Sequence, residues 1–252
     1  DSFYDGLLFQ TRLRPYLDAM RLRVDEKGGY SLDYSGVSAL FNEIHKKDPG
    51  KAFTDLGELL AKSNDGKNPA LAQLAEQHTQ YMAEAAQNGT LTQYAEALGK
   101  KNLETLGHRI GTDDNDNLDG NSSANYLIGG AGDDKITGRQ GHDTLIGGTG
   151  NDYMEGGDYE SDTYHFAQGH GKDTVYDWSY NDEEADTLRF HGAQSSAAVI
   201  DREGYDLTIR AYGNIEDQVN IKNFFWDDNR NHYKLQFDNS TLTNRDLAAH
   251  TF

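Results

Sequence analysis

The chain has 252 residues, of which 36% are hydrophobic and 11% aromatic, enough to bury a core in one large or two ordinary domains. Its 42 acidic and 23 basic residues give a formal charge of −19 at pH 7, which argues against nucleic acid or an anionic membrane surface and suits cations. Cysteine is absent, which excludes disulfides and thiolate zinc sites, and no apolar run has the length of a membrane span.

Residues 1–107 show the apolar spacing of helices. Pro15 must kink or restart the first of them. Two alternating segments on either side of Lys27-Gly28-Gly29 predict a β-hairpin. Asp48 and Pro49 are the residue types of a helix N-cap and a first helical position. The predicted helices cover residues 7–20, 35–46, 48–62 and 70–87, and a last one runs from Thr90 or Thr92 to Gly107.

From Gly111 onward a nine-residue repeat replaces the helical pattern. The charge changes at the same place, since residues 1–110 have 13 basic and 15 acidic side chains and residues 111–252 have 10 and 27. Position six holds Asp116, Asn125, Asp134, Asp143, Asp152 and, after an insertion, Asp162. Position eight holds Leu118, Leu127, Ile136, Leu145, Met154 and Tyr164. A partial further copy follows at residues 169–175.

These columns have a physical meaning. Glycines at positions one, two and four permit tight turns with positive φ, and each turn leads into a short strand whose position-eight side chain points inward. Stacked position-six carboxylates would repel each other unless a hard divalent cation lay between them. Oxygen-only ligation by carboxylates and carbonyls selects Ca²⁺. A flexible Gly/Asp-rich linker would have no reason to keep an apolar residue at every position eight.

These residues resemble the repeats-in-toxin (RTX) family, whose calcium-binding nonapeptide has the pattern GGxGxDxUx. The resemblance implies a parallel β-roll with two nonapeptides per turn and about four or five calcium ions, each between loops two repeats apart. Along one edge the implied ligands are Thr112, Asp114, Asp116, Gly129, Gly130, Ala131, Gly132, Asp134, Gly147, Thr149 and Asp152. Along the opposite edge they are Asn121, Ser123, Asn125, Gly138, Arg139, Gln140, Gly141, Asp143, Gly156, Asp158 and Asp162. A further site would combine Gly148, Gly150 and Asp152 with Gln168, His170 and Asp173.

The segment after the repeat has the features of a cap, which a roll needs because its last turn would expose an apolar interior and a strand edge. Strands are predicted over residues 186–190, 205–209, 219–225 and 233–237, followed by a Leu-Thr pair and a short helix. We therefore expect an α+β chain, a calcium-loaded parallel β-roll with a helical N-terminal cap and a β-rich C-terminal cap. The expected domains are residues 1–107, 108–177 and 178–252.

Sequence features for functions other than calcium binding are few. The GxSxG, HExxH and GxxxxGK motifs are absent, so we expect no enzyme. His142 and His170 stand at variable repeat positions, which favours solvated side chains over ligands. Some RTX toxins cleave an Asp-Pro bond, but Asp48-Pro49 lies inside a helical pattern. A set of six aromatic residues is compatible with either a hydrophobic core or a ligand-binding surface: Tyr176, Trp178, Tyr180, Phe224, Phe225 and Trp226.

The resemblance implies a calcium-binding module of a secreted bacterial toxin or adhesin, at the cell surface or outside the cell. Its folding would be switched on by extracellular Ca²⁺ after export by type I secretion machinery. One alternative is an adhesin module that recognises a peptide, a glycan or a host receptor on a calcium-built scaffold. Another is the secretion-and-folding tail of an extracellular enzyme. We expect calcium, and in the adhesin case a surface ligand on a host or neighbouring cell, as partners, without nucleic acid or a membrane span.

Overall fold

The computed structural model describes residues 11–24, 30–63, 69–157, 160–176, 185–226 and 232–249. The chain divides into two compact units, Asp1–Leu106 and Gly107–Phe252. Among the described residues, no helix is long and apolar enough to cross a membrane. The three-domain division at residues 107 and 177 stays a prediction.

The N-terminal unit consists of short helices around an apolar core and one antiparallel hairpin. Phe41, Phe53 and Leu56 are at most 1% exposed and belong to this core. The elements are α1 Arg14–Asp18, β1 Arg21–Val24, β2 Tyr30–Asp33, α2 Ser35–His45, α3 Pro49–Ser63, α4 Pro69–Gln87, α5 Leu91–Leu98 and α6 Lys100–Thr105.

Two features of this unit test the predicted helix boundaries. The Asp48 carboxylate accepts the N–H of Lys51 at 2.9 Å, so the N-cap prediction for α3 is confirmed. The prediction of one last helix up to Gly107 is wrong, because Gly99 adopts a φ of 88° and separates α5 from α6. The first helix is short, and residues 7–10 of its predicted range lie outside the described residues.

The C-terminal unit contains two seven-stranded sheets, and strands β3 to β11 alternate between them along the chain. In spatial order, the first sheet is β12 Val199–Glu203, β13 Asp206–Arg210, β14 Gln218–Ile221, β10 Lys172–Val175, β8 Tyr153–Glu155, β6 Lys135–Thr137 and β4 Asn117–Asp119. The second is β16 Thr241–Thr243, β15 Tyr233–Gln236, β11 Asp186–Phe190, β9 Thr163–Phe166, β7 Thr144–Thr149, β5 Tyr126–Ala131 and β3 Arg109–Ile110.

This alternation is the winding of a parallel β-roll. Leu127 pairs with Leu145 in one sheet and Ile136 with Met154 in the other, so one turn takes two nonapeptides. The position-eight side chains lie between the sheets, and Leu127, Ile136, Leu145, Met154 and Tyr164 are all 0% exposed. The prediction that position-eight side chains point inward is thus confirmed, and each nonapeptide contributes its position-eight side chain to the core.

The last part of the unit closes the roll with antiparallel pairs. β12, β13 and β14 pair antiparallel beside β10, and β16 pairs antiparallel with β15. The four predicted strands and the short helix, α7 Asn244–Ala249, are present. The strand predicted up to Phe225 ends at Ile221 instead, because Asn223 turns the chain with a φ of 57°. Strand β12 was missing from the sequence-based prediction.

Candidate metal centre

Position-six side chains form a column along each edge of the roll. On one edge, the backbone N–H groups of Asp116, Asp134 and Asp152 donate to one carboxylate oxygen, Oδ1, of the next position-six aspartate, at 2.7, 2.9 and 3.0 Å. The last acceptor is Asp173. On the other edge the same bond, 2.7 to 2.9 Å long, joins Asn125, Asp143, Asp162 and Asp186. Each column is therefore a ladder of side-chain-to-backbone hydrogen bonds one coil apart.

The second carboxylate oxygen, Oδ2, makes these ladders chemically unusual. Asp134 and Asp152 are 3% and 2% exposed, and their Oδ2 atoms accept no hydrogen bond. A buried carboxylate oxygen without a partner is unfavourable, because it has lost its water and gained nothing in return. A hard cation with carbonyl and carboxylate ligands would satisfy these atoms, so the donor set fits Ca²⁺.

Glycine at position one is required by the way the carboxylates fold back on their own loops. A Cβ added to Gly129 would lie 2.2 Å from the Asp134 Oδ2, and one added to Gly147 would lie 2.1 Å from the Asp152 Oδ2. The position-two glycines Gly130, Gly148 and Gly157 have positive φ, which Arg139 also adopts at 86°. Arg139 is therefore a strained residue in a glycine position.

The loops of neighbouring turns lie directly against each other. The N–H of Ala131 donates to the Thr112 carbonyl at 3.1 Å, that of Gly132 to the Thr149 carbonyl at 2.9 Å, and that of Gln140 to the Asn121 carbonyl at 3.3 Å. Side-chain atoms at Gly132 and Gly141 would collide with the backbones of Asp114 and Ser123, and at Gly138 with the carbonyl of Gly156. The loops expected to share ions are thus adjacent, while the ligand assignment itself stays a prediction.

Family comparison fits this geometry. Residues 110–145 and 138–158 match the model of the RTX calcium-binding nonapeptide repeat. The chain therefore contains RTX calcium-binding nonapeptide repeats. It is 37% identical over 249 residues to the iron-regulated protein FrpA of Neisseria meningitidis serogroup C, covering 96% of this chain and 21% of that protein. The RTX chain thus corresponds to about a fifth of this relative.

Two solved structures are similar to parts of the RTX chain. The AlgE6R3 subunit of the Azotobacter vinelandii mannuronan C5-epimerase is 24% identical, with a TM-score of 0.34 over 45% of this chain and 73% of that chain. The extracellular lipase LipA of Serratia marcescens is 23% identical, with a TM-score of 0.37 over 46% of this chain and 18% of that chain. Each similarity covers less than half of the RTX chain.

The first position-six residue of each column differs from the rest. Both contacts of the Asp116 Oδ2 are with Thr112, whose N–H and hydroxyl donate to it at 2.6 and 2.9 Å. The Asn125 amide accepts the N–H of Asn121 at 2.7 Å and donates to the Gly107 carbonyl at 2.6 Å. Asn125 brings no charge, so these end positions offer less to a cation than Asp134 or Asp152.

Two acidic residues escaped the sequence-based prediction. Asp186, 1% exposed, continues the second column, and its signal was the Asp-Thr-Leu sequence that it shares with Asp143-Thr144-Leu145. Glu160, in the insertion, accepts the N–H of Gly141 through its carboxylate. Asp158, which the repeat pattern includes, lies outside the described residues.

The histidines of the repeat behave differently from each other. His142 is exposed, as predicted. The prediction for His170 is wrong, because this side chain is 3% exposed and its Nδ1 lies 2.7 Å from the Asp173 Oδ2. Packing against Phe166 and Tyr212, at 5.2 and 5.9 Å between ring centroids, explains why His170 is buried. In the described residues, no three His, Asp or Glu side chains gather as a metal-binding group.

Burial raises the pKa values of two buried carboxylates in the first column, those of Asp152 and Asp134. The pKa of Asp152 is raised to about 7, mainly by burial and further by the charges of Asp173 and Asp134, against the hydrogen bond from the Asp134 N–H. Burial also raises the pKa of Asp134. Without a cation, burial therefore shifts these two carboxylates toward their protonated form.

We expect the calcium-free RTX unit to lose stability as pH falls below about 6.5 and to change little in stability between pH 7 and 8, because two histidines outweigh one aspartate. Because the folded-state pKa of Asp152 is raised, its protonation stabilises the fold, and this contribution is lost as pH rises through about 7. His108 and His165 act oppositely. Burial lowers their folded-state pKa values to about 4 and about 3, so stability is lost as pH falls below the unfolded value of 6.5.

The measurement is the thermal midpoint of calcium-stripped protein from pH 8 to 5, followed by far-UV circular dichroism in an osmolyte that supports folding. The control is Asp152→Asn, which removes the group that opposes the histidines, so its midpoint should fall more steeply below pH 6.5 than that of the unmodified chain. A midpoint that stays constant or rises as pH falls from 6.5 to 5 would contradict the prediction.

Proposed function

We propose that residues 107–252 form a calcium-binding module of a longer, secreted bacterial RTX protein. The observation that carries this proposal is the pair of buried carboxylate oxygens of Asp134 and Asp152, which accept no hydrogen bond. The carboxylates and loop carbonyls between Gly129 and Asp152 would hold the best-formed site. Bound calcium would supply positive charge to carboxylates that otherwise repel each other. Nonapeptide repeats of this family bind calcium, and proteins that carry them are typically secreted.

The energetic scale supports a folding switch. An ion that binds only the folded state stabilises it by about 1.4 kcal/mol per site at roughly ten times its Kd, so about four sites give on the order of 5–6 kcal/mol. That is comparable with the whole stability of a typical domain, about 5–15 kcal/mol. Without calcium, 27 acidic against 10 basic residues over 111–252 oppose compaction. We therefore propose that this unit is unfolded in a calcium-poor cytosol, suits type I secretion, and folds outside the cell.

A second candidate function is ligand recognition, with calcium in a scaffolding role. Trp226 and Tyr205 are 63% and 54% exposed, and their rings contact each other at 5.0 Å between centroids. Phe224 is buried and Phe225 packs against the core, so only part of the aromatic group fits a surface role. Trp178 and Tyr180 lie outside the described residues. An adhesin surface for a peptide, a glycan or a host receptor is thus our alternative proposal. In either case we propose that this chain has no catalytic activity.

The deciding experiment is a calcium titration of the whole chain by far-UV circular dichroism, with magnesium as the control ion. We expect a cooperative gain of β signal with calcium alone, because magnesium is smaller and dehydrates reluctantly. The helical signal of the N-terminal unit should be present in chelator, since that unit has its own core. A spectrum that is the same in calcium and in chelator would overturn the folding switch and favour a preformed binding domain.

A further inference from the structure

Three equivalent aspartates on one edge of the roll have different surroundings. Asp134, Asp152 and Asp173 each accept a backbone N–H from the previous turn through Oδ1. In Asp134 and Asp152 the second oxygen is buried and without a hydrogen bond. In Asp173 that oxygen is 2.7 Å from the His170 Nδ1. The atom that would receive a cation is therefore already bonded in the last of the three loops.

His170 is at position three of its loop. The N–H of Gly150 donates to the His170 carbonyl at 3.1 Å, just as the N–H of Gly132 donates to the Thr149 carbonyl at 2.9 Å. Thr149 and His170 thus hold equivalent backbone positions in successive turns. The side chains differ in reach, because an imidazole at this position extends to the position-six carboxylate of its own loop.

The His170 ring is held in place from several sides. It is 3% exposed and packs against Phe166 and Tyr212, at 5.2 and 5.9 Å between ring centroids. Its Nε2 atom is buried and accepts or donates no hydrogen bond, so the contact with Asp173 is the polar interaction that fixes the ring. Moving the ring away would cost both this bond and the aromatic packing.

The column also ends at this loop. Val219, an apolar residue, stands opposite Asp173 in the next strand. The carboxylate of Asp217 lies on the loop itself and accepts the N–H groups of Gly169 and Gly171 at 3.0 and 3.3 Å. The amide of Asn214 donates to the same carboxylate at 2.9 Å. The next strand therefore offers an apolar side chain at the place where a longer column would need a carboxylate.

We propose that His170 blocks the last calcium site of this edge, between the Gly147–Asp152 and Gln168–Asp173 loops, so that the repeat pattern overcounts the bound ions by one there. The inference rests on the proposed calcium-binding function. It assigns position three of the loop a role that the nonapeptide pattern does not contain: a small residue leaves the carboxylate open to an ion, and a histidine closes it.

A reciprocal pair of variants of the whole chain tests this assignment. His170→Thr places at the last loop the residue found at position three of the preceding turn, and Thr149→His does the reverse. Bound calcium per chain is counted by equilibrium dialysis and atomic emission, with folding followed by far-UV circular dichroism in calcium. We expect His170→Thr to bind one ion more than the unmodified chain and Thr149→His to bind one ion fewer.

The outcomes separate the inference from the function. An unmodified chain that binds no calcium overturns the proposed function. An unmodified chain that binds calcium, with equal counts in folded His170→Thr, overturns the inference alone. If His170→Thr does not fold in calcium, the count of Thr149→His decides, because a full count in that variant shows that histidine at position three does not close a site.

Discussion

Replacing Asp152 with asparagine is expected to raise the calcium concentration needed for folding roughly tenfold and to lower the thermal midpoint in calcium. Asparagine keeps an oxygen that can accept the Asp134 N–H, now bonded at 2.9 Å, so the ladder can remain intact. Asn125 occupies position six in the same roll, which shows that the amide fits there. The change therefore isolates the charge of a side chain that is 2% exposed. A tenfold weaker site corresponds to about 1.4 kcal/mol.

The chain offers a matched control at position five. Asp133 is exposed, and its carboxylate accepts the N–H of Asn151 at 2.8 Å. Asn115 makes the equivalent bond one turn earlier, to the N–H of Asp133 at 2.9 Å. Asp133→Asn therefore removes the same charge without changing the hydrogen bond. We expect its calcium midpoint to stay close to that of the unmodified chain, because exposed charges are screened by water and salt.

The comparison of the two variants is informative in both directions. A large shift for Asp152→Asn with a small one for Asp133→Asn places the calcium dependence in the buried column. Equal shifts would mean that calcium responds to the overall negative charge of the unit, and would contradict the assignment of Asp152 to an ion site.

The repeat predicted the roll because its constraints are local and periodic. One apolar residue at each position eight and one acid or amide at each position six suffice to fix which side chains enter the core and which line the edges. Leu145 and Asp143 illustrate the two outcomes, at 0% and 2% exposure. These two residues are only two positions apart, and their places in the nine-residue register alone assign one to the core and the other to an edge.

What the sequence could not predict depends on contacts between distant residues. The burial of His170 follows from its packing against Tyr212, 42 positions later in the chain. Asp186 continues a column only because β11 pairs with β9, and the intervening segment has no nine-residue spacing. The division of the last helix depends on the backbone conformation of Gly99, which is compatible in sequence with either a break or a continuous helix.

Gly148→Ala is expected to destabilise the folded roll more than Asp152→Asn does, because the backbones of successive turns meet at position 148. A Cβ on Gly148 would lie 1.8 Å from the Gly130 carbonyl oxygen, and a backbone atom at that distance has no room to yield. The residue also has a φ of 112°, which side chains adopt at a cost of about 1–2 kcal/mol. With about 1–3 kcal/mol for overpacking, the loss of stability should reach about 2–5 kcal/mol.

The control for this variant is Gly213→Ala, which separates conformation from collision. Gly213 also has a positive φ, 70°, but no atom lies within 4 Å of an added Cβ. We expect it to cost about 1 kcal/mol and to leave calcium-dependent folding intact. Thermal unfolding in saturating calcium and the calcium midpoint measure both variants. Suppose Gly148→Ala loses no more stability than Gly213→Ala. The Gly130 carbonyl oxygen then lies farther from position 148 than the 1.8 Å to an added Cβ implies, so the turns are less closely stacked. The carbonyl oxygens lining the ion sites are then farther apart as well.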